Sequence, residues 1–223
     1  MGITSASYSI ESHEDFLAPP IPWWKRQLDI VGSIVALLFL SPVFLYVAIL
    51  IKIISPGPVF FKQTRTGYLG RTFAIWKFRT MTMNADITPH RDQILNEIKN
   101  DLTLYKVKND SRIIRYGKFL RQSGIDELPQ LINVLKGEMS LVGPRPELTY
   151  AVNEFDRRHC ARFDLLPGIT GLWQISGKNN TTFTQMVGYD SEYGQKLSFR
   201  REMQIILMTI PAIIKQAIHD KHK

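Results

Sequence analysis

At 223 residues the chain is long enough for one domain with a real core plus appendages, and 28 lysines and arginines against 20 acids leave it at +8. That excess asks for an acidic partner: nucleic acid, anionic lipid or a phosphorylated metabolite. A single cysteine, Cys160, excludes an internal disulfide, and the five histidines have no ligand-like spacing with it, which argues against zinc.

Residues 1–22 are polar, then interrupted by Pro19, Pro20 and Pro22, and read as a flexible tail. The first apolar run starts too late, and without a small-residue cleavage site, for a removable signal peptide. Trp23-Trp24-Lys25-Arg26 has the make-up of an interfacial anchor, with rings at headgroup depth and cations toward anionic lipid. From Ile30 to Ile51 there is no charge, a length that suits a membrane helix. Ser41-Pro42 falls in its middle, and cations lie on both sides: Lys25 and Arg26 before, Lys52, Lys62 and Arg65 after. Two membrane readings stay open, beside a soluble core hairpin. One is a re-entrant helix-break-helix over residues 23–56, dipping into one leaflet and returning; the other is a spanning helix kinked at Pro42.

Ser55-Pro56-Gly57-Pro58 ends this segment, and residues 57–223 form the cytosolic part. Val59–Thr66 and Arg71–Thr80 read as two short strands around Gly67 and Gly70. The hairpin carries Lys62, Arg65, Arg71, Lys77 and Arg79; the ordinary reading is a solvated basic face, and Lys77 is the cation singled out for a diphosphate. Asn84 to Lys108 is charged, helical in pattern and without evident chemistry.

The stretch KFLRQSGIDELPQLINVLKGEMSLVGPRPE, residues 118–147, sets Asp126-Glu127 before a short apolar helix and returns Arg145 between Pro144 and Pro146. One acid can attack or hold a metal while the guanidinium binds phosphate through its planar fork. By spacing alone, Asp126 serves equally as the cap of a helix that Gly137 stops, and the prolines as an extended connector. Leu148 to Phe163 reads as a helix whose Arg157, Arg158 and Arg162 face phosphates or headgroups. Pro167 to Gln174 is glycine-punctuated and apolar, and Ser176 to Asn180, with Lys178, is a polar turn placed to meet a nucleotide or sugar. Phe199 to Ile218 suits a helix on a membrane surface, kinked near Pro211, or a buried amphipathic helix.

Several of these stretches together resemble the bacterial sugar transferases, in their small monotopic phosphoglycosyl transferase form. They are KRQLDIVGS with the Ser41-Pro42 break, SPGPVFFKQTRTGYLGRTFAIWKFRTM, the IDELPQ and SLVGPRPE motifs, and LLPGITGLWQISGKNN, in the family's order over most of residues 23–190. The resemblance implies a predominantly helical α/β fold with a re-entrant membrane hairpin, a small β-hairpin and membrane-surface helices. It implies transfer of a sugar phosphate from a UDP-sugar to undecaprenyl phosphate, releasing UMP, as the first step of surface-glycan assembly. Asp126 matches the family's nucleophile, and Glu127 the partner acid, the two holding Mg²⁺. Lys77, Arg145, Asp190 and Lys178 match substrate-phosphate positions. The implied location is the bacterial inner membrane, on its cytoplasmic face, among anionic phospholipids; a homodimer is left open. Nucleic acid is not an expected partner, since no binding motif accompanies the charge.

Overall fold

The computed structural model describes residues 20–83, 86, 88–103, 110–176 and 181–219. Its first element, α1 (Trp23–Ile54), is one helix of 32 residues, about 48 Å long at the usual rise, and the helix continues through Ser41 and Pro42 where the sequence suggests a break. The reason is local. Pro42 has no N–H to give the Leu38 carbonyl, and Ser41 Oγ donates to that oxygen instead, at 2.8 Å. Among the described residues α1 is the one helix long and apolar enough to cross a membrane.

Its sidedness is inverted relative to a soluble helix. The buried positions begin with Lys25, Asp29 and Ser33, while Val31, Val35, Leu38, Phe39, Leu45 and Tyr46 face outward. Polar groups turned to protein and apolar groups turned out is the pattern of a helix in lipid. Both ends dock on the same body. At the start, Asp29 accepts from Ser140 Oγ and from the Leu141 N–H. Toward the end, Val47 and Ile51 pack with Phe78 and Leu120.

Lys25 and Arg26 are not the lipid-facing cations that the Trp-Trp-Lys-Arg run suggests. Lys25 Nζ donates to the Val142 carbonyl and to Glu202, and Arg26 donates to the carbonyls of Val134 and Leu135. Lys25 has the Glu202 carboxylate as counter-charge, and Arg26 satisfies two carbonyls in the last turn of α4. Only Trp23 stays largely exposed.

β1 (Phe60–Thr66) and β2 (Thr72–Phe78) form the expected antiparallel hairpin. Arg79, just past it, is buried and donates to the carbonyls of Ser55 and Pro56, closing the end of α1. After α2 (Thr88–Lys99) and α3 (Gly117–Ser123) comes a 3₁₀ turn, Ile125–Glu127, and then α4 (Gln130–Lys136). Gly137, at φ 82°, stops α4 as the sequence suggests. β3 (Ser140–Val142) pairs in parallel with β5 (Gly168–Thr170).

The expected helix from Leu148 to Phe163 is absent. Glu147–Leu148 is recruited as β4 onto β1, leaving a four-residue α5 (Thr149–Val152) and a 3₁₀ stretch, Arg157–Asp164. Tertiary pairing overrides the helical pattern here, because the chain gains ladder bonds and still buries Val152, Phe155 and Phe163 in one cluster. α6 (Leu172–Ser176), α7 (Phe183–Gln195) and α8 (Phe199–His219) complete the order, with Pro211 inside α8. α8 buries Glu202 and Ile205 and exposes Leu207, Ile210 and Ile214.

Candidate active site

Asp126 is not a helix cap. It lies in the 3₁₀ turn, α4 starts behind Pro129, and no side chain caps that start. The pair is instead split between two jobs. Glu127 Oε1 sits 2.7 Å from Lys77 Nζ and 3.2 Å from Arg145 Nη2, so one oxygen holds both cations. Asp126 makes no side-chain hydrogen bond among the described residues and keeps 7% of its surface open. The committed acid orients the cations, and the uncommitted acid faces them.

Each partner reaches this point for a separate local reason. Lys77 alternates inward on β2, and its strand is pinned by Asn133, whose Oδ1 accepts from the Trp76 N–H while Nδ2 donates to the Ala74 carbonyl. Arg145 rides on the turn after β3. Gly143 there donates to Thr170 and Pro144 accepts from Gly168. The two backbones approach so closely that a Cβ on Gly143 would meet the Leu166 carbonyl at 2.1 Å and one on Gly168 would meet Gly143 N at 2.1 Å. Only glycine admits that approach.

Electrostatics sharpen the difference between the acids. Burial pushes the Asp126 carboxyl up to about 6, with Glu127's charge adding to the rise and Lys77, Arg121 and Arg145 opposing it. Burial lowers the Lys77 ammonium, and Glu127 resists that. Glu127 chiefly holds the Arg145 guanidinium up. Arg65, on the same face of the hairpin, falls to about 10 through burial and the neighbouring charge of Arg145. A buried carboxylate of raised basicity, facing a lysine and arginines, is fit to attack an anionic electrophile whose charge those cations offset.

Asp190 lies elsewhere. It is buried on α7, 3.0 Å from Arg162 Nη2, and burial raises it to about 7. Arg162 in turn pairs with Glu147 at 2.5 Å and donates to the Arg145 carbonyl at 3.1 Å. The expected phosphate ligand Asp190 therefore holds Arg162, and Arg162 holds the backbone of Arg145. Arg162 is among the cations the sequence suggests for phosphates, but it is turned inward. Lys178 and the side chains of Arg157 and Arg158 lie outside the described residues. Arg65 and Arg121 were legible only as members of basic runs, and nothing in their spacing marks them as neighbours of the acid pair.

No group of three or more acid, histidine or cysteine side chains stands ready for a metal among the described residues. Asp126 and Glu127 supply hard oxygen donors, and that set suits a magnesium ion which takes its remaining ligands from substrate phosphates and water.

Residues 21–216 match the family described as bacterial sugar transferase. The exopolysaccharide production protein ExoY of Sinorhizobium fredii is 40% identical over 199 residues, covering 85% of this chain and 84% of that protein. The galactosyl transferase CpsE of Streptococcus agalactiae is 40% identical over 195 residues, covering 85% of this chain but 42% of its own length. A UDP-glucose:undecaprenyl-phosphate glucose-1-phosphate transferase of Caulobacter vibrioides is 39% identical over 198 residues, covering 85% and 69%. The chain thus spans most of ExoY and less than half of CpsE.

Proposed function

Because the chain belongs to the bacterial sugar transferases, we propose that it moves a sugar 1-phosphate from a UDP-sugar to undecaprenyl phosphate. The observation that carries this reading is the division of labour between Glu127, bound to Lys77 and Arg145, and Asp126, which makes no side-chain hydrogen bond among the described residues. An Asp126 carboxylate oxygen attacks the sugar-bearing phosphorus, the bond to the bridging oxygen breaks, and UMP leaves. Polyprenyl phosphate then attacks the same phosphorus, the bond to Asp126 breaks, and the carboxylate is restored with a lipid diphosphate sugar as product. Two displacements on one nucleophile let a soluble donor and a membrane-bound acceptor use the site in turn.

Lys77 and Arg145 bind the diphosphate and hold it in line with Asp126, and the Asp190–Arg162 pair keeps Arg145 in place. A magnesium ion at Asp126 and Glu127 would neutralise phosphate charge. The site's depth supports the lipid acceptor. α8, with its exposed Leu207 and Ile210, passes beside the catalytic turn, where a Cβ on Gly124 would stand 3.6 Å from Ile213 Cδ1.

The same reading makes α1 a re-entrant helix bent at Ser41-Pro42, with both flanks on the cytoplasmic face. Its support is that Arg26 is gripped by α4 while Phe44 packs on Phe78 of the strand pinned by α4. The product primes a surface glycan. The test is UMP release from a panel of UDP-sugars with undecaprenyl phosphate and magnesium, beside retention of labelled phosphosugar on the protein. Asp126→Asn should abolish both; labelled protein surviving in the variant would place the nucleophile elsewhere.

A further inference from the structure

Side chains alternate across a strand, so the hairpin has two faces with separate tasks. Arg65 and Lys77 share the face toward the acid pair. The register sets Lys62 opposite Trp76 and Phe60 opposite Phe78, placing these four on the other face. There Lys62 Nζ stands 3.9 Å from the centre of the Trp76 ring. Asn133 holds the Trp76 N–H, and one turn further along α4 Lys136 puts its Nζ 5.6 Å from the same ring. Two ammonium groups from different elements converge on one indole. Neither has a carboxylate within ion-pair distance among the described residues. Positive charge brought to one ring with no acid to balance it favours an anion there.

The aromatic contacts fix the depth of this pair. Phe44, two residues past Pro42 in the apolar run of α1, has its ring 5.3 Å from Phe78. Phe78 stacks on Phe60 at 5.4 Å, and Phe60 meets Trp76 edge-on at 5.8 Å. A continuous line of rings therefore runs from the lipid-facing helix to the indole and ends at the two ammonium groups. Apolar rings leading to a tryptophan and then to cations is the order of chemistry met on leaving a bilayer. Lys25 and Arg26 are spent on protein oxygens, so positive charge meets the membrane somewhere else.

We propose that Lys62, Trp76 and Lys136 form a headgroup subsite for an anionic phospholipid of the bilayer. Holding that face at headgroup depth presents Lys77, on the opposite face, at the level of an acceptor phosphate. The subsite rests on the membrane seating described above and is independent of the transfer chemistry.

The test uses the full chain in a neutral detergent, titrated with short-chain phosphatidylglycerol, short-chain phosphatidylcholine and inorganic phosphate, with dissociation constants from calorimetry. Wild type should prefer the glycerol lipid. Each lysine near an anionic surface contributes roughly fivefold, so Lys62→Ala with Lys136→Ala should cut the preference by about thirtyfold. Lys62→Arg with Lys136→Arg should keep it, as should Lys99→Ala with Lys196→Ala on distant surfaces. An undiminished preference in the alanine pair overturns the subsite. Inorganic phosphate competing as strongly as the lipid also overturns it, in favour of a free-phosphate site. UMP release in the same preparations separates the two ideas: a lost lipid preference with transfer intact supports the subsite, whereas absent transfer in the wild type counts against the enzymatic reading alone.

Discussion

Lys25 Nζ lies 2.8 Å from Glu202 Oε2, joining the first turn of α1 to the first turn of α8. Both side chains are buried, and Tyr193 Oη donates to Glu202 while lying 3.0 Å from the Val142 carbonyl that accepts from Lys25. Val142 ends the strand that leads to Arg145, so α1 and α8 meet behind the loop that carries Arg145. Glu202→Gln takes the ion-pair partner from the buried ammonium, leaving it the more distant charge of Asp29, and should destabilise the fold by about 3 kcal/mol. Lys25→Met with Glu202→Leu should recover much of that loss. Thermal unfolding in detergent reads both; equal damage from the single and the double change would mean that the pair is not coupled.

Asp126 titrates near 6 in the fold and at its ordinary, lower value when unfolded. Nucleophilic attack needs the ionised form, so kcat/KM should fall toward acid pH, and the fall should move to lower pH as magnesium is raised. Stability moves the other way: the folded state binds the proton more tightly, so ionising Asp126 costs stability as pH rises through about 6. With magnesium chelated, Asp126→Asn should raise the melting temperature relative to wild type at pH 8 and lose that advantage below about pH 4. A melting difference independent of pH would remove the basis for the raised carboxyl.

Arg145→Lys keeps the charge beside Glu127 but loses the planar fork, and should lower kcat/KM about a hundredfold. Lys77→Met should also lower kcat/KM, and it leaves Glu127 paired with Arg145 in place of both cations. Steady-state UMP release gives both values, and near-normal rates in either variant would take that cation out of diphosphate binding.

Asp190→Asn tests action through a relay. The shape is kept but Arg162 loses one of its two carboxylates, and the Arg145 backbone it holds can drift. A displacement of an ångström is worth up to about a hundredfold in rate, so kcat/KM should drop by ten- to a hundredfold. The protein should still take up labelled phosphosugar, slowly. Abolished labelling, as with Asp126→Asn, would put Asp190 in direct contact with substrate.

Pro42→Ala restores the N–H that can reach the Leu38 carbonyl, relieving Ser41 of that bond. Cysteine labels at residues 20 and 55 should report the same side in the wild type and opposite sides in a fraction of the variant. If both proteins label on one side, the docking of Lys25, Asp29, Val47 and Ile51 holds the geometry without the proline.

The sequence by itself determined the local elements: the apolar run of α1, the sharp stop at Ser55–Pro58, the β1–β2 hairpin, the glycine end of α4 and the long α8. Composition and short spacing encode these, because they depend on neighbours three or four residues away or on alternation. The acid pair and Arg145 were legible as chemistry for the same reason, lying within a single stretch of the chain. Which acid is free, however, depended on Lys77, some fifty residues upstream. Lys25 and Arg26 had the composition of a lipid anchor and became interior struts, Leu148 left a helix for a strand, and Asp190 reached Arg145 only through Arg162. Only the tertiary structure decided these, since partners as distant as Lys25 and Glu202 leave no periodic trace along the chain. A buried charge takes whichever counter-charge the packing brings to it, and that choice is made when the elements dock.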